Sequence, residues 1–179
     1  SVGGTETYAY DNLNRLEKRG NATIAVYQPN GNLTSKTEVG GQNVTINDYD
    51  SIHPHAVHHY TFNGQITEIT YDANGNVATR TGGTESWSIQ MAGFDKPRWM
   101  TKQTGATVAG NEFHYNAARS RILHLDYDSV SNGAPQHYTL KRVYAFGANM
   151  EVDYKNTTAS GAGRTWQLDK IRVYVPGPD

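Results

Sequence analysis

One local pattern recurs along this chain, and a chain so built can fold only as an array of small, like units. The pattern is clearest in ITYDANGNVATRTGG, Ile69 to Gly83. Thr67, Ile69 and Tyr71 alternate with Glu68 and Thr70, and β-branched or aromatic residues at every second position favour a pleated strand. The Asp72 side chain can accept from backbone N–H groups two residues on, which starts a turn. Asn74-Gly75 tolerates positive φ, a strong short hairpin signal. Val77, Thr79 and Thr81 then alternate away with Arg80 between them, and Gly82-Gly83 permits the next reversal.

Copies stand on both sides. Tyr8-Ala9-Tyr10-Asp11-Asn12-Leu13-Asn14-Arg15-Leu16 is followed by EKRGN, and Tyr27-Gln28-Pro29-Asn30-Gly31-Asn32-Leu33-Thr34-Ser35-Lys36 replaces Asp-Ala by Gln-Pro. Phe94-Asp95-Lys96-Pro97-Arg98-Trp99 keeps an aromatic-Asp start, and Phe113-His114-Tyr115-Asn116 with Ser120-Arg121-Ile122 is weaker. The anchors Tyr10, Tyr27, Tyr71, Phe94 and Tyr115 lie 17, 44, 23 and 21 residues apart, the 44 spanning a degenerate unit at Tyr49-Asp50. A period near 20 predicts stacked supersecondary units, each too small to bury its own core.

The predicted strands are 6–10, 16–19, 23–27, 33–39, 42–48, 57–62, 65–71, 77–81, 86–92, 97–104, 108–115, 121–128, 137–145, 149–156 and 165–175. Gly-Asn, Asn-Gly, Gly-Gly and Ser-Asn-Gly clusters break them. No linker separates domains, so residues 1–179 read as one β-repeat segment, and Thr157 to Gly163 reads as a mobile loop. A hydrophobic fraction of 36% suits thin sheets rather than a thick core. The net charge of −1 gives no electrostatic case for nucleic acid or an acidic membrane. No apolar stretch approaches the roughly 18 residues of a membrane span. No signal peptide is visible, and Ser1 does not read as a natural start. The absence of Cys excludes disulfides and a thiol nucleophile.

Groups that could carry chemistry have competing structural explanations. His53, His55, His58 and His59 stand within seven positions; on a strand His53 and His55 would share a face and could bind a transition metal. Pro54 fixes a turn or edge there, so no metal and no cofactor is expected. The pairs Tyr10-Asp11, Tyr49-Asp50, Tyr71-Asp72, Phe94-Asp95 and Tyr127-Asp128 could supply glycosidase carboxylates, which must sit about 5–10 Å apart. Repeat spacing instead puts them in successive turns, so no enzyme is expected. Trp87, Trp99 and Trp166 could stack on sugars; cross-strand packing is the expected use. Arg15, Arg80, Arg98 and Arg121 occupy second arms and are expected to pair with turn Asp residues or stack on Tyr. Sequons at Asn21, Asn32, Asn43 and Asn156 are near chance frequency.

YDNLNRL, the NGNLTSKT segment and YDANGNVATRTG resemble the YD repeats of the RHS family, found in bacterial polymorphic toxins, the cocoon subunit of Tc insecticidal toxin complexes and teneurins. IHPHAVHHY, Ile52 to Tyr60, is similar to a segment of the family's last repeats; FHYNAARSRILHLDYDS and RVYAFGANMEVDYKN resemble the repeats after it. Val175 to Asp179 resembles the run-up to the autoproteolytic core, which is absent here.

The resemblance implies an all-β fold, with consecutive antiparallel hairpins in a curved, twisted sheet. Its structural residues would be Tyr10, Asp11, Arg15, Tyr27, Gly31, Asn32, Tyr71, Asp72, Gly75, Asn76, Arg80, Phe94, Asp95, Tyr115 and Arg121. It further implies a wall segment of a shell that encloses a C-terminal toxin or effector, in a secreted or surface protein of a bacterium. The partners would be the rest of that shell and the enclosed domain. A carbohydrate- or receptor-binding module is the alternative. Terminal strands near Glu6 to Tyr10 and Ile171 to Val175 would expose unpaired edges that invite self-association.

Overall fold

The computed structural model describes residues 6–37, 41–131, 134–145, 149–158 and 165–174, with backbone alone for 130, 131 and 134–136. The expected mobile loop lies, beyond Thr158, outside the described residues, as do Glu38, Val39 and Val175 to Asp179. No helix occurs among the described residues. The strands are β1 Tyr8–Tyr10, β2 Leu16–Arg19, β3 Ala22–Thr23, β4 Ala25–Tyr27, β5 Leu33–Thr37, β6 Asn43–Tyr49, β7 Val57–Phe62 and β8 Gln65–Tyr71. They continue with β9 Val77–Gly82, β10 Glu85–Met91, β11 Pro97–Thr104, β12 Thr107–Tyr115, β13 Arg121–Ser131, β14 Ala134–Ala145, β15 Met150–Asn156 and β16 Trp166–Val173.

The fold is all-β and antiparallel. β1–β2–β3 form one sheet, and β4 to β16 form a thirteen-stranded sheet in sequence order that does not close into a barrel. Within each sheet every strand pairs with its chain neighbours, so the array is a succession of hairpins. The strand expected over Thr23 to Tyr27 breaks at Ile24, whose N–H donates to the Glu17 carbonyl while its own carbonyl accepts from Thr37.

The chain divides into two compact units, Ser1–Thr70 with Arg80–Gly83, and Tyr71–Thr79 with Thr84–Asp179. In the first, the buried residues are few and mixed: Ala25, Asn32 and Thr67. Its tight turns include Asn63-Gly64, both at positive φ (50° and 76°), between the register partners Phe62 and Gln65. That is the two-residue hairpin loop whose twist matches its strands.

The second unit holds the denser core. Tyr127, 2% exposed, lies 5.9 Å from the Trp99 ring and 6.0 Å from the Tyr138 ring, and Phe113 and Tyr138 are also buried. Burial pushes the Tyr127 hydroxyl up to about 12. The ring fits because its register partner across β12–β13 is Gly110. A Cβ at Gly110 would stand 2.7 Å from the ring carbon that carries the Tyr127 hydroxyl, and would also collide with the Met100 carbonyl oxygen. The glycine is therefore the floor of the aromatic cluster. Gly110→Val is expected to destabilise the protein by about 2–3 kcal/mol through overpacking, read as a lower urea midpoint. An unchanged midpoint would show that the ring has room to move.

Candidate functional site

The site-forming feature is a loop bonded in the same way in five hairpins. Starting at residue i, the N–H of i donates to the carbonyl of i+4, and the N–H of i+3 donates back to the carbonyl of i. This holds for i at Asp11, Gln28, Asp72, Ala92 and Asn116, with distances of 2.7 to 3.1 Å. It is the three-residue hairpin loop, a type I turn followed by a left-handed residue. That residue is Asn14 (φ 58°), Gly31 (94°), Gly75 (82°), Asp95 (59°) and Arg119 (59°) in turn. Asn74 does not share positive φ with Gly75, so this Asn-Gly pair is not the two-residue turn its dipeptide suggests.

The acidic side chain at i is consumed in the turn. Asp11 Oδ1 accepts from the N–H groups of Leu13 and Arg15, and Asp72 Oδ1 from those of Asn74 and Asn76. The Arg15 N–H holds the Asp11 carboxyl below its ordinary range, and its guanidinium adds to this from 2.6 Å. Arg15 also lies over the Tyr27 ring at 4.4 Å.

The residue before i is the anchor, and the hydroxyl of a tyrosine anchor reaches back to the preceding hairpin. Tyr27 Oη donates to the Leu16 carbonyl at 3.3 Å, Tyr49 Oη to Leu33 at 2.6 Å, and Tyr115 Oη to Pro97 at 2.7 Å. Leu16, Leu33 and Pro97 open the second arms and are the register partners of Tyr10, Tyr27 and Met91. Tyr49 thus occupies a full place in the series.

Three expectations need correction. Phe94 and Asp95 do not begin a unit: the anchor is Met91, and Asp95 fills the left-handed position, where Asn and Asp are tolerated. There Asp95 Oδ1 accepts from Asn74 and Asn76 at 3.2 and 2.9 Å, while Phe94 packs edge-on against Tyr115 at 5.2 Å. Tyr10 is 59% exposed rather than packed. Arg80 and Arg98 are exposed and take part in no ion pair or ring contact among the described residues, whereas Arg121 lies over Phe113 at 4.3 Å. His53 and His55 lie off the strands, as the turn or edge expected at Pro54 implies. They sit in the loop between β6 and β7, where His53 Nδ1 meets Asp50 Oδ1 at 3.0 Å and His55 Nδ1 meets Asn32 Oδ1 at 2.6 Å. Buried Asn32 also donates to the Pro54 carbonyl at 2.7 Å, so the HPH segment is docked on the preceding loop. Tyr71 is half-buried, in the anchor place before Asp72.

A different group of potential ligands does converge. Asp48, His58 and His59 bring their donor atoms within 4.8 Å of one another. A second polar cluster escaped sequence reading altogether. Arg142 on β14 grips Asp153 on β15 with two bonds of 2.6 and 3.0 Å, and Arg172 on β16 reaches it at 2.6 Å and Glu151 at 3.2 Å. The Asp153 carboxylate is 2% exposed, and the Arg142 guanidinium, helped by Arg172, holds it at about 2. The signal lay in cross-strand register, which no single segment displays.

The chain matches no protein-family model, and no curated protein matches it significantly.

Because the folded-state carboxyl of Asp153 lies below its ordinary 3.8, its contribution is complete above that value and is lost as pH falls towards about 2. Asp153→Asn should cost about 2 kcal/mol at neutral pH, less than a fully buried pair because both arginines are partly exposed. It should also flatten the acid limb of stability between pH 4 and 2. Urea unfolding across that window checks both; an unaltered acid limb would assign the loss to other carboxylates.

Proposed function

We propose that the chain is a wall segment of an RHS-type shell, a structural array around a C-terminal toxin or effector of a secreted or surface-displayed bacterial protein. The observation that carries this reading is the repetition of one bonded unit: five loops with the same two backbone bonds, and anchor tyrosines that tie successive hairpins together. Such an array extends by addition of like units, which is what a curved, twisted wall requires. The polar groups support a structural role over catalysis, since Asp11, Asp50 and Asp72 spend their Oδ1 atoms on backbone N–H groups. All three tryptophans are half-buried, with Lys102 over Trp87 and Trp99 beside Tyr127, which favours a wall over a sugar-stacking face.

In this reading the partners are further repeats and the enclosed domain, met through the edge strands β1 and β16. β16 ends its sheet with Leu168, Ile171 and Val173 exposed, and an unpaired edge is a template for another strand. Light scattering over a concentration series should show association of the isolated chain. A monodisperse monomer at high concentration would count against open edges. The reading frame beyond Asp179 tests the shell itself: a paired-Asp core followed by an unrelated domain is expected, and any other continuation sinks the proposal.

A further inference from the structure

We infer that Asp48, His58 and His59 form a surface site for a borderline divalent cation such as Zn2+, built by a bulge in the β6–β7 hairpin. Consecutive residues of a strand point to opposite faces. His58 and His59 do not, because the register jumps from Asp48↔His59 to Tyr49↔Val57 and leaves His58 as the extra residue. A bulge re-aims a side chain. Here it brings the two imidazoles to a centroid separation of 3.9 Å on the same side, beside one carboxylate.

The donors are positioned from several directions. Asp48 Oδ1 is fixed by the His59 backbone N–H at 2.8 Å and lies 2.9 Å from His59 Nδ1 and 3.6 Å from His58 Nδ1. Ligands bound at about 2.0–2.2 Å in tetrahedral geometry stand roughly 3.3 Å apart, so the set closes on an ion with small side-chain shifts. From β8, Glu68 Oε1 lies 3.7 Å from His58 Nε2. That is ion-pair rather than hydrogen-bond distance; a carboxylate that closes on the far nitrogen orients a ligating imidazole and raises its basicity. Two imidazole nitrogens and one carboxylate oxygen suit zinc and its neighbours rather than calcium or magnesium. The side chains of His58 and His59 are about one-third exposed and that of Asp48 about half, so the remaining coordination positions open to water.

The same bulge recurs after Tyr10, Tyr27, Met91 and Tyr115, where the extra residue is Glu17, Thr34, Arg98 or Ile122. The repeat thus supplies the geometry at each place, and among these hairpins only β6–β7 equips it with adjacent imidazoles. His53 and His55 stay outside the set, held by Asp50 and Asn32.

The test is zinc chloride titrated by calorimetry into the whole, chelator-treated, untagged chain at pH 7.5. One equivalent should bind. His58→Asn, His59→Gln and Asp48→Asn should each weaken it at least tenfold, while His53→Ala with His55→Ala leaves it within about twofold. Histidine ring signals in NMR spectra of the wild-type chain give a readout that needs no variant to fold: two should shift with zinc. No binding up to millimolar zinc, loss of binding only in the His53/His55 variant, or shifts in the His53 and His55 rings instead would overturn the site.

Discussion

A carbonyl oxygen at the start of the second arm, at Leu16, Leu33 and Pro97, is the point on which this array depends. A hairpin of a dozen residues buries too little surface to persist alone. Here its outer neighbour lays a tyrosine ring against it and donates a hydroxyl to that carbonyl. Such a bond contributes about 1 kcal/mol net, small by itself, but it recurs with the backbone ladder and adds to each preceding unit. The left-handed residue of each loop makes the geometry reproducible. It sets the anchor opposite the first residue of the next arm, which places the Leu16, Leu33 and Pro97 carbonyls within reach of Tyr27, Tyr49 and Tyr115.

Much of this was legible because turn chemistry is local. Asp11 and Asp72 caps, glycine at 31 and 75, and alternation in Val57–Phe62 and Gln65–Tyr71 all act within a few residues, and the strands fall where those signals put them. The fifth unit misled for an equally local reason. Phe94-Asp95 mimics an aromatic-Asp start, but what defines a unit is the distance from anchor to left-handed residue, and Met91 satisfies it without being aromatic. The arginines divided similarly: Arg15 sits beside its own turn Asp, whereas among the described residues no acid pairs with Arg80 or Arg98.

Other features depend on which strand meets which, and these were hidden. The pairing of Arg142 with Asp153 and Arg172 needs three strands in register, and a buried carboxylate there is held by partners eleven and nineteen residues away. The histidine cluster was visible as a composition anomaly, but which of its members converge was not. Periodicity groups His53 with His55, while the bulge and the loop group His58 with His59 and leave the other two as fasteners.

The reversals also differ in how much change they can absorb. Turns such as Asn63-Gly64, or Gly105-Ala106 between Thr104 and Thr107, contain only two residues at the reversal, so an insertion there would disrupt the ladder on both sides. The opposite, Asp-capped end has slack: between Tyr49 and Val57 the loop has already lengthened, its Asp50 N–H reaching the carbonyl of Ala56 instead of a residue four positions on, and the strands either side keep their pairing. Length is not confined to that side: the connections from Thr37 to Asn43 and from Asn156 to Trp166 also exceed two residues. A reversal longer than two residues leaves room for a docked segment such as HPH, held here by Asn32, and a two-residue reversal leaves none.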